Sequence, residues 1–139
     1  MPQKPTTGDL TERTRLNLRG AASGDLGSIL SDLAPDAVWE VAEHSLHVAG
    51  ATAIREFLEK WRGQFEDWSF KVEDVTDLGN EMILVVYRQS GRAPGSAFAV
   101  EDRGVQVCEW RDGLIVGLRL YSDINEAQAA AERLAESRG

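Results

Sequence analysis

Residues 50–78 of the chain read GATAIREFLEKWRGQFEDWSFKVEDVTDL, and the spacing of their apolar side chains changes part-way along. Up to Phe65 the large apolar residues recur every three or four positions, which is typical of one face of an α-helix. From Trp68 onward apolar and polar residues alternate, which is typical of a strand with one face in solvent. The stretch therefore predicts an amphipathic helix followed at once by a half-exposed strand. The helical face that should be buried consists of Ile54, Phe57, Leu58, Trp61 and Phe65.

The residues before this stretch predict two more helices and a strand. The first helix should run from about residue 11 to residue 23, and a short second helix should follow until Pro35 ends it. A strand is then expected over residues 37–41. The apolar positions are Leu10, Leu16, Asn17 and Ala21 in the first helix and Leu26, Ile29, Leu30 and Leu33 in the second.

The residues after the stretch predict a run of long strands and a final helix. Turn signals at Gly79-Asn80 and Asp112-Gly113 separate the strands. Asp123, with Glu126 three residues on, resembles a helix-capping pair and should open the last helix. Helices followed by a meander of strands indicate the α+β class. The expected strands are 82–89, 96–110 and 114–122.

Composition limits the possible partners and the location of this protein. The chain has 139 residues, 42% of them hydrophobic, and a net charge of −8. This size favours one domain, which we expect over residues 11–139 after a flexible leader over residues 1–10. Because the charge is negative and the basic residues are scattered, nucleic acid and membrane surfaces are poor partners. No apolar run approaches the ~20 residues of a membrane span, so we expect a cytoplasmic protein. The one cysteine, Cys108, allows no internal disulfide.

The order of these elements and four stretches of the sequence resemble the NTF2-like superfamily, and within it the SnoaL-like branch. The resemblance implies a cone in which N-terminal helices pack into a strongly curved, mixed or antiparallel sheet around a pocket, with the last helix outside. The ordered set of stretches carries the resemblance, and fold alone does not establish function. The matching stretches are GDLGSILSDLAPDAVWE, GATAIREFLEKW, EWRDGLIVGLRLYSD and EAQAAAERL.

The likeness extends to ketosteroid isomerases, because residues 24–50 align with that family's equivalent stretch without a gap. Val41 stands where that family has its carboxylate base. Asn17 stands in place of its oxyanion-hole tyrosine, and Val107 lies at about the position of its protonated aspartate. Such chemistry depends on a base and on charge-stabilising donors, so this isomerisation is not implied here.

Strand alternation, taken with the resemblance, indicates which side chains face the pocket. Trp39 would form a flat wall for a ring-shaped ligand, and Tyr87 can supply a hydroxyl. The sequence therefore predicts a mainly apolar pocket. Its expected lining residues are Trp39, Val41, Asn17, Tyr87, Val107, Glu109, Leu118 and Leu120.

Three titratable residues are candidates for acid or base catalysis: Glu109, His44 and His47. In an apolar pocket the pKa of Glu109 would rise toward a useful range, unless the side chain reaches solvent or pairs with Arg111 or Arg119. The histidines should lie in the loop after the first strand, near the pocket's opening. A histidine there can act as a base, as a lid or to orient a ligand, or it can simply be solvated.

Two acidic residues lie close to the histidines. Glu40 should point away from the pocket by strand alternation, unless a bulge reverses it. Glu43 with the histidines is a weak metal pattern, because a loop spacing of three lacks a third well-placed ligand. We therefore expect no metal and no organic cofactor.

Two functions of different classes are compatible with this pattern. One is a polyketide cyclase-like enzyme that needs no cofactor and performs cyclisation, isomerisation, dehydration or hydrolysis on an apolar compound. The other is a non-catalytic module that binds an apolar ligand or a partner. We also expect a homodimer through the sheet, because Trp110 and Tyr121 should present apolar surface on its outside.

Overall fold

The computed structural model describes residues 7–22, 31–41, 46–92, 95 and 100–138. Residues 1–6 of the expected leader, residues 23–30 of the expected second helix, and Glu43 with His44 lie outside the described residues. No helix in the described part is long and apolar enough to cross a membrane.

The described residues form three helices and one six-stranded sheet, which confirms the α+β class. The sheet is open, its strands follow the order β2-β1-β6-β5-β4-β3, and only the β1–β6 pair is parallel. The helices are α1 (Thr7–Ala22), α2 (Ala51–Gly63) and α3 (Ile124–Arg138). The strands are β1 (Leu33–Val41), β2 (Leu46–Ala49), β3 (Glu66–Gly79), β4 (Met82–Arg92), β5 (Val100–Arg111) and β6 (Leu114–Tyr121).

Two tight turns connect strands, one at the predicted Asp112-Gly113 and one a single residue later than the predicted Gly79-Asn80. Asn80 and Glu81 join β3 to β4 with φ of 51° and 64°, and Asp112 and Gly113 join β5 to β6 with φ of 51° and 84°. Two consecutive positive φ values match the twist of a hairpin. These turns fix the pairing of the strands on either side.

Helix α1 starts earlier than predicted and buries a different set of residues. It begins at Thr7, before the expected residue 11. Leu16, expected on the apolar face, is 51% exposed. The buried face instead follows the spacing i, i+4, i+7 and i+8. Its residues are Leu10, Thr14, Asn17 and Leu18.

Two predictions about the segments that form β1 and β2 were wrong. Leu33 and Pro35 belong to β1, because backbone pairing with β6 holds this segment in the sheet, so they do not end a helix. His47 lies in β2, which pairs antiparallel with β1, and not in the predicted loop. The first strand is therefore an interior strand of the sheet.

The sheet carries helices on both faces, and β4 is buried on both as a result. The inner face, which presents Ile83 and Val85, packs in one core cluster with residues of α1 and α2. The outer face, which presents Met82 and Leu84, packs against Ala127 of α3. The prediction that the last helix packs outside the cone is confirmed.

Helix α2 uses the face that its periodicity predicts. Ile54 is fully buried, and Phe57 and Leu58 are partly buried against the inner core. The Phe57 ring centroid lies 4.7 Å from that of Trp39. The side chain of Trp61 is outside the described part of the structure, so its burial stays a prediction.

Trp110 anchors α1 to the sheet. Its side chain is 0% exposed, and its indole Nε1–H donates to Thr14 Oγ1 at 3.1 Å. The Arg13 guanidinium lies 4.7 Å from the ring centroid. The prediction that Trp110 points outward was therefore wrong. Trp110 was one of the two residues on which the homodimer prediction was based. The homodimer itself stays a prediction.

We expect Thr14→Val to lower the free energy of unfolding by about 1–3 kcal/mol, because the buried Trp110 N–H would lose its acceptor. Thr14→Ser keeps the hydroxyl and serves as the matched control, with a smaller loss. Urea unfolding followed by tryptophan fluorescence measures both. A valine variant as stable as the wild type would contradict this role of the hydrogen bond.

Candidate ligand-binding site

A cavity of about 410 Å³ lies between the inner face of the sheet and helices α1 and α2. This volume falls within the range of small-molecule sites. Most of its wall is apolar or aromatic. The lining residues are Thr14, Asn17, Leu18, Trp39, Val41, Leu46, Phe57, Leu58, Arg62, Trp68, Phe70, Tyr87, Gln89, Asp102, Arg103, Gly104, Gln106, Cys108, Ile115, Leu118, Leu120, Tyr121 and Ser122.

Six residues predicted to face the pocket do line the cavity. In the parallel β1–β6 pair, Trp39 lies beside Leu118 and Val41 beside Leu120, so side chains of both strands reach the same face. Tyr87 of β4 and Asn17 of α1 complete the set. The structure therefore brings together Asn17, Trp39, Val41, Tyr87, Leu118 and Leu120.

The predictions that Val107 and Glu109 face the pocket were wrong. Val107 is fully buried in the cluster with Ala127 and Ala131 of α3, which places it on the outer face. Since side chains alternate along a strand, Gln106 and Cys108 face the cavity. The alignment with ketosteroid isomerases placed the inward position at Val107, one residue from each of the residues that face the cavity.

Glu109 belongs to a chain of ion pairs on the outer face. Its Oε1 accepts a hydrogen bond from Arg119 Nη1 at 2.5 Å, and Arg119 Nε lies 3.4 Å from Glu40 Oε2. Glu40 Oε1 in turn lies 2.9 Å from His47 Nδ1. A Cβ atom at Gly117 would overlap the Arg119 guanidinium, so the glycine provides the room for this pairing. The alternative prediction that Glu109 pairs with Arg119 is confirmed. The prediction that Glu40 points away from the pocket is also confirmed.

Three stacked aromatic rings, with an arginine over the first, line the side of the cavity opposite Trp39. They are Trp68, Phe70 and Tyr87, and the arginine is Arg62. The Arg62 guanidinium lies 4.7 Å from the Trp68 ring centroid. Ring centroids of Trp68 and Phe70 are 5.7 Å apart, and those of Phe70 and Tyr87 are 5.0 Å apart, with both pairs stacked. Tyr87 lies against Gly104 on β5, where any Cβ atom would overlap its ring. The stack therefore spans β3 and β4 from the end of α2.

Sequence reasoning did not single out Arg62, although a signal was present. Arg62 follows Ile54 and Leu58 at four-residue steps, which places it on the apolar face of α2. A charged residue on that face needs a reason, because Lys and Arg rarely point into a core.

Two hydrogen-bond donors in the cavity wall keep their protons at neutral pH. Burial raises the pKa of Tyr87 to about 12, with a smaller contribution from the negative charge of Asp102. Burial also raises the pKa of Cys108 to about 12, although a hydrogen bond from Gln106 opposes the shift. Both groups can donate a proton in a hydrogen bond, but neither is a base near pH 7.

Asn17 is held at the cavity wall by a polar cluster behind it. Its Nδ2 donates to Asp32 Oδ2 at 2.7 Å, and Arg13 binds the other carboxylate oxygen at 2.8 Å. Because a carboxylate only accepts hydrogen bonds, this contact fixes the amide with its nitrogen toward Asp32.

Comparison with known proteins agrees with this architecture. A family model described as the SnoaL-like domain matches residues 16–118. This chain belongs to the SnoaL-like domain family. No curated protein matches the SnoaL-like chain described here.

Solved structures similar to this SnoaL-like protein share its fold at low sequence identity. An NTF2-like protein from Burkholderia thailandensis is 20% identical, with a TM-score of 0.73 over 93% of this chain and 98% of its own. A putative polyketide cyclase from Sinorhizobium meliloti is 22% identical, with a TM-score of 0.66 over 84% and 99%. A hypothetical protein of ketosteroid isomerase-like fold from Catenulispora acidiphila, in complex with trimethylamine, is 13% identical, with a TM-score of 0.65 over 90% and 95%. These likenesses establish the NTF2-like fold.

The SnoaL-like cavity places non-titrating or neutral side chains at the positions that correspond to the isomerase residues. Val41 and Asn17 both line it, and Gln106 and Cys108 take the inward positions of β5. Among the described residues no group of three or more His, Cys, Asp or Glu side chains is arranged to hold a metal ion. His47 lies on the outer face beside Glu40 and does not line the cavity.

We expect Arg119→Met to lower the free energy of unfolding of the SnoaL-like protein by about 2–3 kcal/mol, because it removes the guanidinium that pairs with Glu109, a residue that is only 8% exposed. Arg103→Met is the matched control, since Arg103 pairs with Glu73 while its side chain is 64% exposed, and it should cost less than about 1 kcal/mol. Urea unfolding measures both losses. Equal losses from the two variants would contradict a special role for the Glu109–Arg119 pair.

Proposed function

We propose that this protein binds a small, mostly apolar ring compound in the cavity. The observation that supports the proposal is that aromatic rings line the cavity on two sides of the sheet, at β1 and at β3 with β4. Trp39 of β1 packs on Phe57, while Trp68 and Phe70 of β3 stack with Tyr87 of β4. A flat ring between such walls would bury its surface and gain aromatic contacts.

The polar groups of the wall support a ligand that also carries an oxygen acceptor. The Tyr87 hydroxyl is protonated at physiological pH and can donate a hydrogen bond, and burial moves it further from ionisation by raising its pKa to about 12. A buried donor that meets a ligand oxygen fixes its orientation, whereas the apolar wall alone does not.

Catalysis without a cofactor is the alternative, and the cyclase name of one structural neighbour suggests it. Such a reaction needs a positioned group that takes up a proton. Within the described residues, the cavity's carboxylate is that of Asp102, which is exposed at the rim beside Arg103. Binding is therefore the function that the geometry supports best.

We expect N-phenyl-1-naphthylamine, a neutral ring compound that fluoresces in apolar sites, to bind the cavity. Trp39→Ala should weaken its binding by roughly 1–3 kcal/mol, the scale of a lost buried aromatic contact. Trp39→Phe keeps a ring and should lose less. Fluorescence titration measures each dissociation constant, and circular dichroism checks that each variant folds.

His47→Ala is the matched control, because His47 lies on the outer face and should not affect the dye. His44→Ala should also change binding little if the histidines do no more than tune access. Failure of the folded wild type to bind the dye would reject the proposed function. A histidine variant that abolished turnover of a discovered substrate while binding persisted would establish catalysis instead.

A further inference from the structure

We infer that the ring compound carries an anionic oxygen group, of the carboxylate class, and that Arg62 binds it. The inference rests on the proposed function and narrows the ligand to an aromatic carboxylate. Arg62 lines the cavity from the last turn of α2, with its guanidinium over the ring of Trp68. Among the described residues, the contact of its guanidinium is with the Trp68 ring.

Arg62 differs from Arg13 and Arg103 in having no carboxylate partner among the described residues. Arg13 pairs with Asp32 at 2.8 Å, and Arg103 pairs with Glu73 at 3.0 Å. Within the described ranges Arg62 forms no hydrogen bond or ion pair, and its Nε atom is buried without an acceptor. A buried N–H donor without an acceptor costs free energy unless another group satisfies it.

The contact that Arg62 makes with Trp68 leaves its Nε–H without an acceptor among the described residues. The guanidinium lies over the Trp68 ring at 4.7 Å, a cation–π contact that orients the cation but satisfies no N–H donor. A carboxylate is planar and matches the fork of a guanidinium with two parallel hydrogen bonds. An aromatic ring attached to that carboxylate would lie next to the Trp68–Phe70 pair.

The position of Arg62 at the end of α2 does not explain it by itself. A cation in the last turn favours the negative end of the helix dipole, but Lys60 already supplies one there. Lys60 is exposed and does not line the cavity. The net charge of −8 repels anions at long range, so a preference for an acidic ligand has to come from a local cation.

The test is displacement of N-phenyl-1-naphthylamine by 2-naphthoate, which is ionised at neutral pH, and by 2-naphthamide, its neutral analogue of nearly the same shape. In the wild type, 2-naphthoate should bind about tenfold more tightly than 2-naphthamide, the scale of a charge-assisted hydrogen-bond pair. Arg62→Gln should remove that preference, so that the two naphthalenes bind this variant within about twofold of each other.

Lys60→Gln is the control, because it removes the same charge from the same helical turn and should leave both dissociation constants unchanged. If Arg62→Gln does not fold, Arg62→Met replaces it, because methionine keeps a long side chain over Trp68. If neither variant folds, the comparison of 2-naphthoate with 2-naphthamide on the wild type decides alone. Equal binding of the two naphthalenes to the wild type, or a preference that survives loss of Arg62, would overturn the inference. Absence of dye binding would instead reject the proposed function and the inference with it.

Discussion

The burial of β4 and β5 on both faces is the constraint on which the rest of the structure depends. Met82 and Val107 must face α3, because the alanines of that helix allow a close approach to the sheet. Once they do, alternation along each strand sends Ile83 and Cys108 to the opposite face. A slip of one residue would exchange both sets, so packing against α3 determines which side chains can reach the cavity.

The same alternation separates the charged groups of the protein into two environments. On the outer face, Glu109 and Glu40 share Arg119, and the absence of a side chain at Gly117 makes room for the guanidinium. On the inner side, Arg62 lies over Trp68 without a carboxylate among the described residues. Carboxylates paired on the far face cannot serve the cavity. Among the described residues, its charged groups are therefore Arg62 and, at the rim, Asp102 and Arg103.

The sequence predicts the elements and the inner faces of β1 and β6 well, because their apolar period is clear. It fails for β5, where Val105, Val107, Cys108 and Trp110 are apolar at both parities, so alternation cannot show which set faces inward. Here the packing of α3, distant in sequence, decides. The partner of Glu109 could be proposed but not chosen from the sequence. The position of Arg62 was readable from its four-residue spacing, but its contact with Trp68 depends on the path of β3 past α2.

The most direct test of the cavity as the binding site is a titration of ¹⁵N-labelled protein with N-phenyl-1-naphthylamine, observed at the tryptophan indole N–H signals and assigned with Trp→Phe variants. Trp39 and Trp68 line the cavity, whereas the Trp110 indole is buried and bonded to Thr14. We expect the signals of Trp39 and Trp68 to shift in proportion to occupancy while that of Trp110 moves least. Unchanged Trp39 and Trp68 signals at saturating dye would contradict a binding site in this cavity.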